Sequence, residues 1–287
     1  MSLIARIDSI PFSPATVCAN VCRTDMSHRA LCVGINDYPG RNMDLGGCVN
    51  DARDWQALLE ARGYRVDPLH DGEATRARII DALTSIIGSA TDGDSVVFVF
   101  AGHGSWLPDA SGDEADARDE MMCPVDVMQE QYLLDDDLNK IFCAKRAGVR
   151  LYVIADSCHS GSVIRYAPSP DGISLKARFL PPYAFARGNV RLERAIDRAA
   201  RAPAPTKNAY PALLFSGCQD SEFSYDASFS RRPNGVFTRT AIDVLQDAGI
   251  ASPRAFHDAI RKQLPSQSYP QTPQLFGSKE AQLGPLF

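Results

Sequence analysis

Two short segments hold the residues best suited to covalent chemistry. Gly102-His103-Gly104-Ser105 follows one apolar run, and Asp156-Ser157-Cys158-His159-Ser160-Gly161 follows another. A histidine between two glycines can be approached closely, and a cysteine on the turn leaving a buried strand stands at the rim of a sheet, where active groups gather. If the two strands are neighbours, His103 and Cys158 face each other across that rim. This is the Cys/His arrangement for nucleophilic acyl transfer: the thiolate attacks a carbonyl, and the imidazole takes the proton and later hands it to the leaving amine. The backbone N–H groups of Cys158 and Gly104 are the candidate oxyanion donors. A buried structural thiol and a loop histidine are the plainer reading of any such pair; the shared setting at strand ends, inside glycine turns, weighs against it here. His159 diverges from its neighbour on the turn and reads as a structural polar group rather than the base.

The elements that must position these groups alternate strand and helix. Ala30–Ile35 is a short apolar strand, and 50–63 has Trp55, Leu58, Leu59 and Arg62 at helical spacing with Gly63 as a stop. Tyr64–Leu69 is a second strand, and Thr75 caps a helix with Ile79, Ile80, Leu83, Ile86 and Ile87 on one face. Ser95–Ala101 and Arg150–Ala155 are continuous apolar runs, the mark of strands buried on both faces. Between them, about 104–134 reads as an acidic loop and Asp135–Ala147 as a helix with three carboxylates in its first turn. Residues 162–210 are rich in Pro and Arg without periodicity, and a loop of that length is usually functional or disordered. A strand at Ala212–Ser216, helices near Val236–Ala248 and Ser252–Leu264, and a short strand near Thr272–Phe276 complete the pattern. The fold class is α/β: one open, mostly parallel sheet with helices on both faces.

Composition narrows the partners. The 287 residues are 45% hydrophobic and 23% charged, which excludes collagen-like, coiled-coil and wholly disordered chains. No apolar run reaches the roughly 18–20 residues of a membrane span, and a net charge of −5 gives no basic field for nucleic acid. The first 28 residues have no continuous apolar core, so they read as an N-terminal arm rather than a secretory signal, with 29–287 as a single domain. A cytoplasmic setting keeps most of the eight cysteines reduced and buried and leaves one free to be a nucleophile. Cys18 and Cys22, in the arm, match no metal-site spacing.

The pair AGHGS and DSCHSG, its His and Cys 55 residues apart, resembles the metacaspases and bacterial caspase-like proteases, peptidase family C14. Further segments agree: GINDY at 34–38, LGGCVNDA at 45–52, SGDEADARDE at 111–120 followed by Pro124-Val125-Asp126, LDDDL at 134–138 and QTPQL at 271–275. The resemblance implies the caspase–haemoglobinase fold, a Cys158/His103 dyad needing no cofactor, and cleavage after Arg or Lys of protein or peptide substrates. It also implies a primary pocket lined by Asp51 and Asp156 together with Cys48, where carboxylates would pair with a basic side chain. Taken alone, Asp51 is an ordinary first-turn carboxylate of a helix. A pocket for Asp would need a basic residue; no Arg is placed to supply one, unless it comes from the long loop. Many metacaspases have Ser where this chain has Ala101, which puts that part of the pocket's hydrogen bonding in question.

The resemblance further implies calcium as an activator, through Asp119, Asp135 and Asp136, although the fourth acidic position is Arg165 here. A solvated acidic loop running into a helix start explains the same aspartates. The 162–210 segment holds nine Lys or Arg against three Asp or Glu. An exposed basic loop in an enzyme that cuts after basic residues invites self-cleavage, after one of Arg165, Lys176, Arg178, Arg187, Arg191, Arg194, Arg198 or Arg201. The alternatives are an effector protease gated by calcium, a small nucleotide or a protein activator, and a caspase-like interaction module of low activity.

Overall fold

The computed structural model describes residues 27–109, 118–158, 175–186, 188–201, 211–229, 232–246 and 249–287. The arm with Cys18 and Cys22, the acidic stretch 110–117, and 159–174 with His159 and Arg165 lie outside the described residues.

The chain begins with strand β1 (His28–Gly34), helix α1 (Cys48–Ala61), strand β2 (Arg65–His70), helix α2 (Arg76–Ser89) and strand β3 (Ser95–Ala101). Thr75 caps α2, its hydroxyl accepting from the Arg78 N–H, and Gly63 leaves α1 at φ +84°. Three short strands follow, β4 (Gly104–Pro108), β5 (Arg118–Met122) and β6 (Leu133–Leu134), then helix α3 (Asp135–Cys143) and strand β7 (Arg150–Asp156). The remaining elements are β8 (Lys176–Ala177), α4 (Tyr183–Ala186), α5 (Val190–Ala199), β9 (Leu213–Ser216), β10 (Tyr225–Phe229), β11 (Arg232–Gly235), α6 (Val236–Gln246), α7 (Pro253–Arg261), β12 (Gln274–Phe276) and α8 (Lys279–Leu283).

Among the described residues, the central sheet has six strands in the order β12-β9-β7-β3-β1-β2. All pairs are parallel except β12 with β9. Because successive strand residues point to opposite faces, the apolar runs divide between two cores. Leu31, Val33, Phe98, Phe100 and Val153 meet Ile79, Leu83 and Ile86 of α2 and Phe142 of α3. Ala30, Cys32, Val97, Val99 and Ile154 meet Trp55 and Leu59 of α1, Phe237 and Ala241 of α6, and Phe256 and Ile260 of α7. A strand covered on both sides has no position for a polar residue, which is why β3 and β7 read as unbroken apolar runs.

Three expectations are revised. The stretch 104–134 is not all loop: β4, β5 and β6 form an antiparallel sheet with Trp106 opposite Glu120 and Met121 opposite Leu134. The helix from Asp135 ends at Cys143, well before Ala147. Within 162–210, α4, α5 and the two-residue strand β8 are ordered elements; α5 buries only Ile196 and Ala199, too narrow a stripe to stand out among its charges. Among the described residues, no helix is long and apolar enough to cross a membrane.

Candidate active site

Strands β3 and β7 lie side by side in parallel, with Ala101 opposite Asp156, so the turns that leave them emerge at the same edge. His103 and Cys158 stand on those turns, 2% and 0% exposed. The Gly102 N–H donates to the Asp156 carbonyl at 3.4 Å. Gly104 passes so close to Cys158 that a Cβ there would run into the Cys158 carbonyl, so at this position only glycine allows the approach.

The imidazole is fixed from three sides. Its Nε2 lies 2.6 Å from the Met43 carbonyl; a carbonyl only accepts, so Nε2 carries the proton and Nδ1 is left as the base. Nδ1 is buried and has no hydrogen-bond partner among the described residues. The His103 N–H donates to Tyr38 Oη at 3.0 Å, Tyr38 Oη donates to the Cys123 carbonyl at 2.9 Å, and the two rings stand 4.8 Å apart. Burial, only partly offset by the Met43 carbonyl, pulls the imidazole down to about 4.

The N–H groups of Gly104 and Cys158 converge on one carbonyl oxygen, that of Arg178, at 3.0 and 3.2 Å. The Arg178 side chain runs into a pocket of carboxylates and is wholly buried. Its Nη2 lies 2.5 Å from Asp51 and 2.8 Å from Asp226, and its Nη1 lies 3.1 Å from Asp156. The sequence reading allowed a basic residue from the long loop to reach this pocket. One does, but it meets three carboxylates and leaves the pocket acidic.

Each carboxylate is also held by neutral donors. Asp51, at the start of α1, accepts from the Gly235 N–H at 3.0 Å and from Asn234 Nδ2 at 2.8 Å. Asp156 accepts from Ser224 Oγ at 2.5 Å, Thr238 Oγ1 at 2.7 Å and the Thr238 N–H at 3.0 Å. Asp226 accepts from the Gly46 and Gly47 N–H groups. Burial pushes Asp51 up to about 7 against the pull of Arg178. Burial opposes the Arg178 charge as well, but Asp156, Cys48, Asp51 and Asp226 outweigh it and hold the guanidinium protonated.

Cys48 is buried at the first turn of α1, its N–H on Asn36 Oδ1 at 2.8 Å. Burial raises its thiol, and Arg178 is close enough to pull it down. Ala101, the last residue of β3, brings no polar group to the pocket; the hydroxyls that reach Asp156 come from Ser224 and Thr238. The sequence reading missed these two, and it missed Asp226, Asn234 and Gln271. Gln271 opens the QTPQL segment, and its buried amide joins the Gly217 carbonyl to the Tyr225 N–H. Cys218 adjoins the nucleophile closely enough that its thiol is raised first by a hydrogen bond with Cys158 and then by burial. Asp119 lies on β5, and Asp135 and Asp136 open α3. Among the described residues, no group of three or more His, Cys, Asp or Glu is placed to hold a metal ion. The described aspartates do not fit a calcium site by themselves, and no step is assigned to calcium.

The buried imidazole predicts a pH effect of definite sign. Its folded-state value lies below its ordinary 6.5, so the unfolded chain takes up the proton first as pH falls. The associated stability is complete above about 6.5 and is lost toward about 4, on the order of 3 kcal/mol in all. In a Cys158→Ala background, denaturant titrations from pH 7 to 4 should show the protein with His103 losing that much relative to its His103→Gln partner. A difference that stays constant with pH contradicts the buried neutral base.

Comparison with known proteins agrees with this geometry. The metacaspase peptidase C14 domain family matches residues 28–167. Metacaspase-1A of Aspergillus clavatus is 32% identical, covering 86% of this chain and 65% of that protein; the chain therefore spans just under two thirds of that relative. Metacaspase-1B of Neurospora crassa is 30% identical, over 96% of this chain and 72% of the relative. A solved structure of a Geobacter sulfurreducens protein superposes with a TM-score of 0.69 at 30% identity, covering 91% of this chain and 98% of the other. The match thus extends from the two strand-end turns through most of the chain, and the protein belongs to the metacaspase family.

Proposed function

We propose that this chain is a cysteine endopeptidase that cleaves peptide bonds after Arg or Lys, with Cys158 as nucleophile and His103 as base. One observation carries the reading: an arginine side chain rests on three carboxylates while its own carbonyl oxygen accepts from the Gly104 and Cys158 N–H groups. A substrate residue placed this way has its scissile carbonyl polarised beside the thiol. His103 Nδ1 takes the thiol proton, and sulfur bonds to the carbonyl carbon. The two N–H groups meet the developing oxyanion, the C–N bond breaks, and the amine leaves with the proton from His103. Water then hydrolyses the thioester, and the thiol returns. Arg is preferred to Lys, because a guanidinium reaches the carboxylates through two nitrogens whereas an ammonium offers one point charge.

The burial of Cys158, His103 and the pocket favours a regulated enzyme over one open at all times. Calcium is carried as an activator to be tested, and a small-molecule or protein activator stands beside it. The test is a set of fluorogenic peptides ending in Arg, Lys or Asp, each with calcium and with chelator. The expected order is Arg above Lys, with Asp uncut. Preference for Asp, or no hydrolysis of Arg peptides in any condition, overturns the reading.

A further inference from the structure

We propose that Tyr38 is the positioning residue for the base: its hydroxyl closes a ring of hydrogen bonds that pins the backbone of His103, and position 102 is glycine to leave room for that oxygen. The inference rests on the proposed peptidase activity and deepens it.

The segment GINDY supplies no group to the proposed chemistry, yet it ends on Tyr38. The chain leaves β1 at Gly34, passes Tyr38 and Met43, and enters α1 at Cys48. Asn36 ties the two ends of this loop together. Its side-chain oxygen accepts from the Cys48 N–H at 2.8 Å, and its carbonyl accepts from the Leu45 N–H at 2.8 Å. On the other side, the Asn36 and Asp37 N–H groups donate to one oxygen of Asp71 at 2.7 and 3.0 Å. A loop braced in this way can hold a reacting group in place.

The ring of hydrogen bonds has three members. The His103 N–H donates to Tyr38 Oη at 3.0 Å, Tyr38 Oη donates to the Cys123 carbonyl at 2.9 Å, and the Cys123 N–H donates back to the His103 carbonyl at 2.9 Å. A phenol can accept and donate at once, and its apolar body fills the core beneath. Tyr38, Cys123 and His103 are 1%, 0% and 2% exposed, and a buried polar group is costly to leave unpaired. Burial, with Cys123 and Cys48 adding to it, raises the Tyr38 phenol, so the hydroxyl keeps the proton that it donates.

The same loop reaches the imidazole twice more. The Tyr38 ring stands 4.8 Å from it, and the Met43 carbonyl lies 2.6 Å from Nε2. Those contacts set the tilt and the tautomer of the base, but only if the backbone that carries it stays in register with the loop. The hydroxyl supplies that register. Without it, the buried His103 N–H loses its acceptor and the turn must shift to find another. A displacement of about 1 Å at a reacting group costs on the order of 100-fold in rate.

Gly102 fits the same account. A Cβ there would stand 2.6 Å from Tyr38 Oη, with the Phe100 ring next at 3.1 Å. Gly102 does not adopt positive φ, so room beside the hydroxyl, rather than backbone conformation, calls for glycine. The two glycines that flank His103 therefore serve two contacts: Gly104 the approach to Cys158, and Gly102 the approach to Tyr38.

The experiment has two arms. The first follows the His103 imidazole by NMR in full-length Cys158→Ala protein with isotope-labelled histidine, its signals assigned through His103→Gln. With Tyr38 present, the neutral ring should carry its proton on Nε2 and titrate near 4. Tyr38→Phe should mix the tautomers and move the midpoint up toward the ordinary 6.5, because the loosened turn exposes the ring. The second arm measures hydrolysis of an Arg peptide with Cys158 intact. Tyr38→Phe should lower kcat roughly 10- to 100-fold with KM held within about twofold. Gly102→Ala should fall comparably, and the two substitutions together should be no worse than Tyr38→Phe alone, since the oxygen that the new Cβ strikes is gone. If Tyr38→Phe fails to fold, Gly102→Ala disturbs the same contact and the imidazole signals decide. An imidazole unchanged by either substitution, a loss confined to KM, or kinetic losses that multiply would overturn the inference. Absence of hydrolysis by the wild type in every condition overturns the peptidase reading and leaves the NMR arm to judge Tyr38.

Discussion

Cys158→Ala should abolish the proposed hydrolysis of Arg peptides, with kcat at least roughly 10³-fold below wild type. The substitution removes the only atom that bonds to the substrate carbonyl. The Gly104 and Cys158 N–H groups are backbone and remain, so substrate can still be bound and polarised. The cost to the fold is about 1–3 kcal/mol, since the buried Ser224 N–H loses an acceptor. The sulfur is buried, and its contacts are the Ser224 N–H at 2.6 Å, the Ser224 carbonyl at 3.5 Å and the neighbouring Cys218. His103→Ala should fall by a comparable amount, and the double variant should be no worse than either single one, if nucleophile and base act as a unit. Active-site concentration, KM and kcat measured on all three separate lost chemistry from lost binding. Independent, multiplicative losses contradict the dyad.

Asp156→Asn should cost about 2–5 kcal/mol of transition-state binding for Arg substrates, roughly 30- to 5,000-fold in kcat/KM. Asp156 receives four donors: the Ser224 and Thr238 hydroxyls, the Thr238 N–H and the Arg178 guanidinium. An amide turns one accepting oxygen into a donor, so either Ser224 must turn its hydroxyl to accept or an N–H must face the donors now on Oδ2. It also removes a charge from a buried pocket, leaving a cation seated like that of Arg178 short of one partner. A peptide carrying neutral Gln in place of Arg lacks that charge partner and should lose much less between wild type and variant. Equal losses for both peptides would indicate a general distortion rather than loss of charge recognition.

The parts of this site that could be read in the sequence are those carried by strands buried on both faces. After their opening residues, Ser95 and Arg150, β3 and β7 run on as apolar or aromatic residues to Ala101 and Ala155, so the change to GHG or DSCHSG marks the rim. Asp51 was legible only through its neighbours in LGGCVNDA, since a carboxylate in a helix's first turn ordinarily needs no further explanation. Asp226 gave no local signal. It lies 180 residues from Gly46, whose N–H it accepts, and its strand packs Tyr225 and Ala227 into the core while the opposite face lines a pocket. Tyr225-Asp226-Ala227-Ser228-Phe229 alternates apolar and polar, so nothing in the pattern sets Asp226 apart from a solvent-facing carboxylate. Arg178 was one basic residue among nine in a segment without periodicity, and only the pairing of β8 with β10 sets it apart.

The most direct test of the account is covalent labelling of the wild-type protein by two peptide ketones of the same thiol-reactive design, one presenting Arg and one presenting Asp. The account predicts one label per chain from the Arg reagent, located on Cys158 and formed at least roughly 100-fold faster than with the Asp reagent. Labelling at another cysteine such as Cys48 or Cys218, or equal rates for the two reagents, would contradict it.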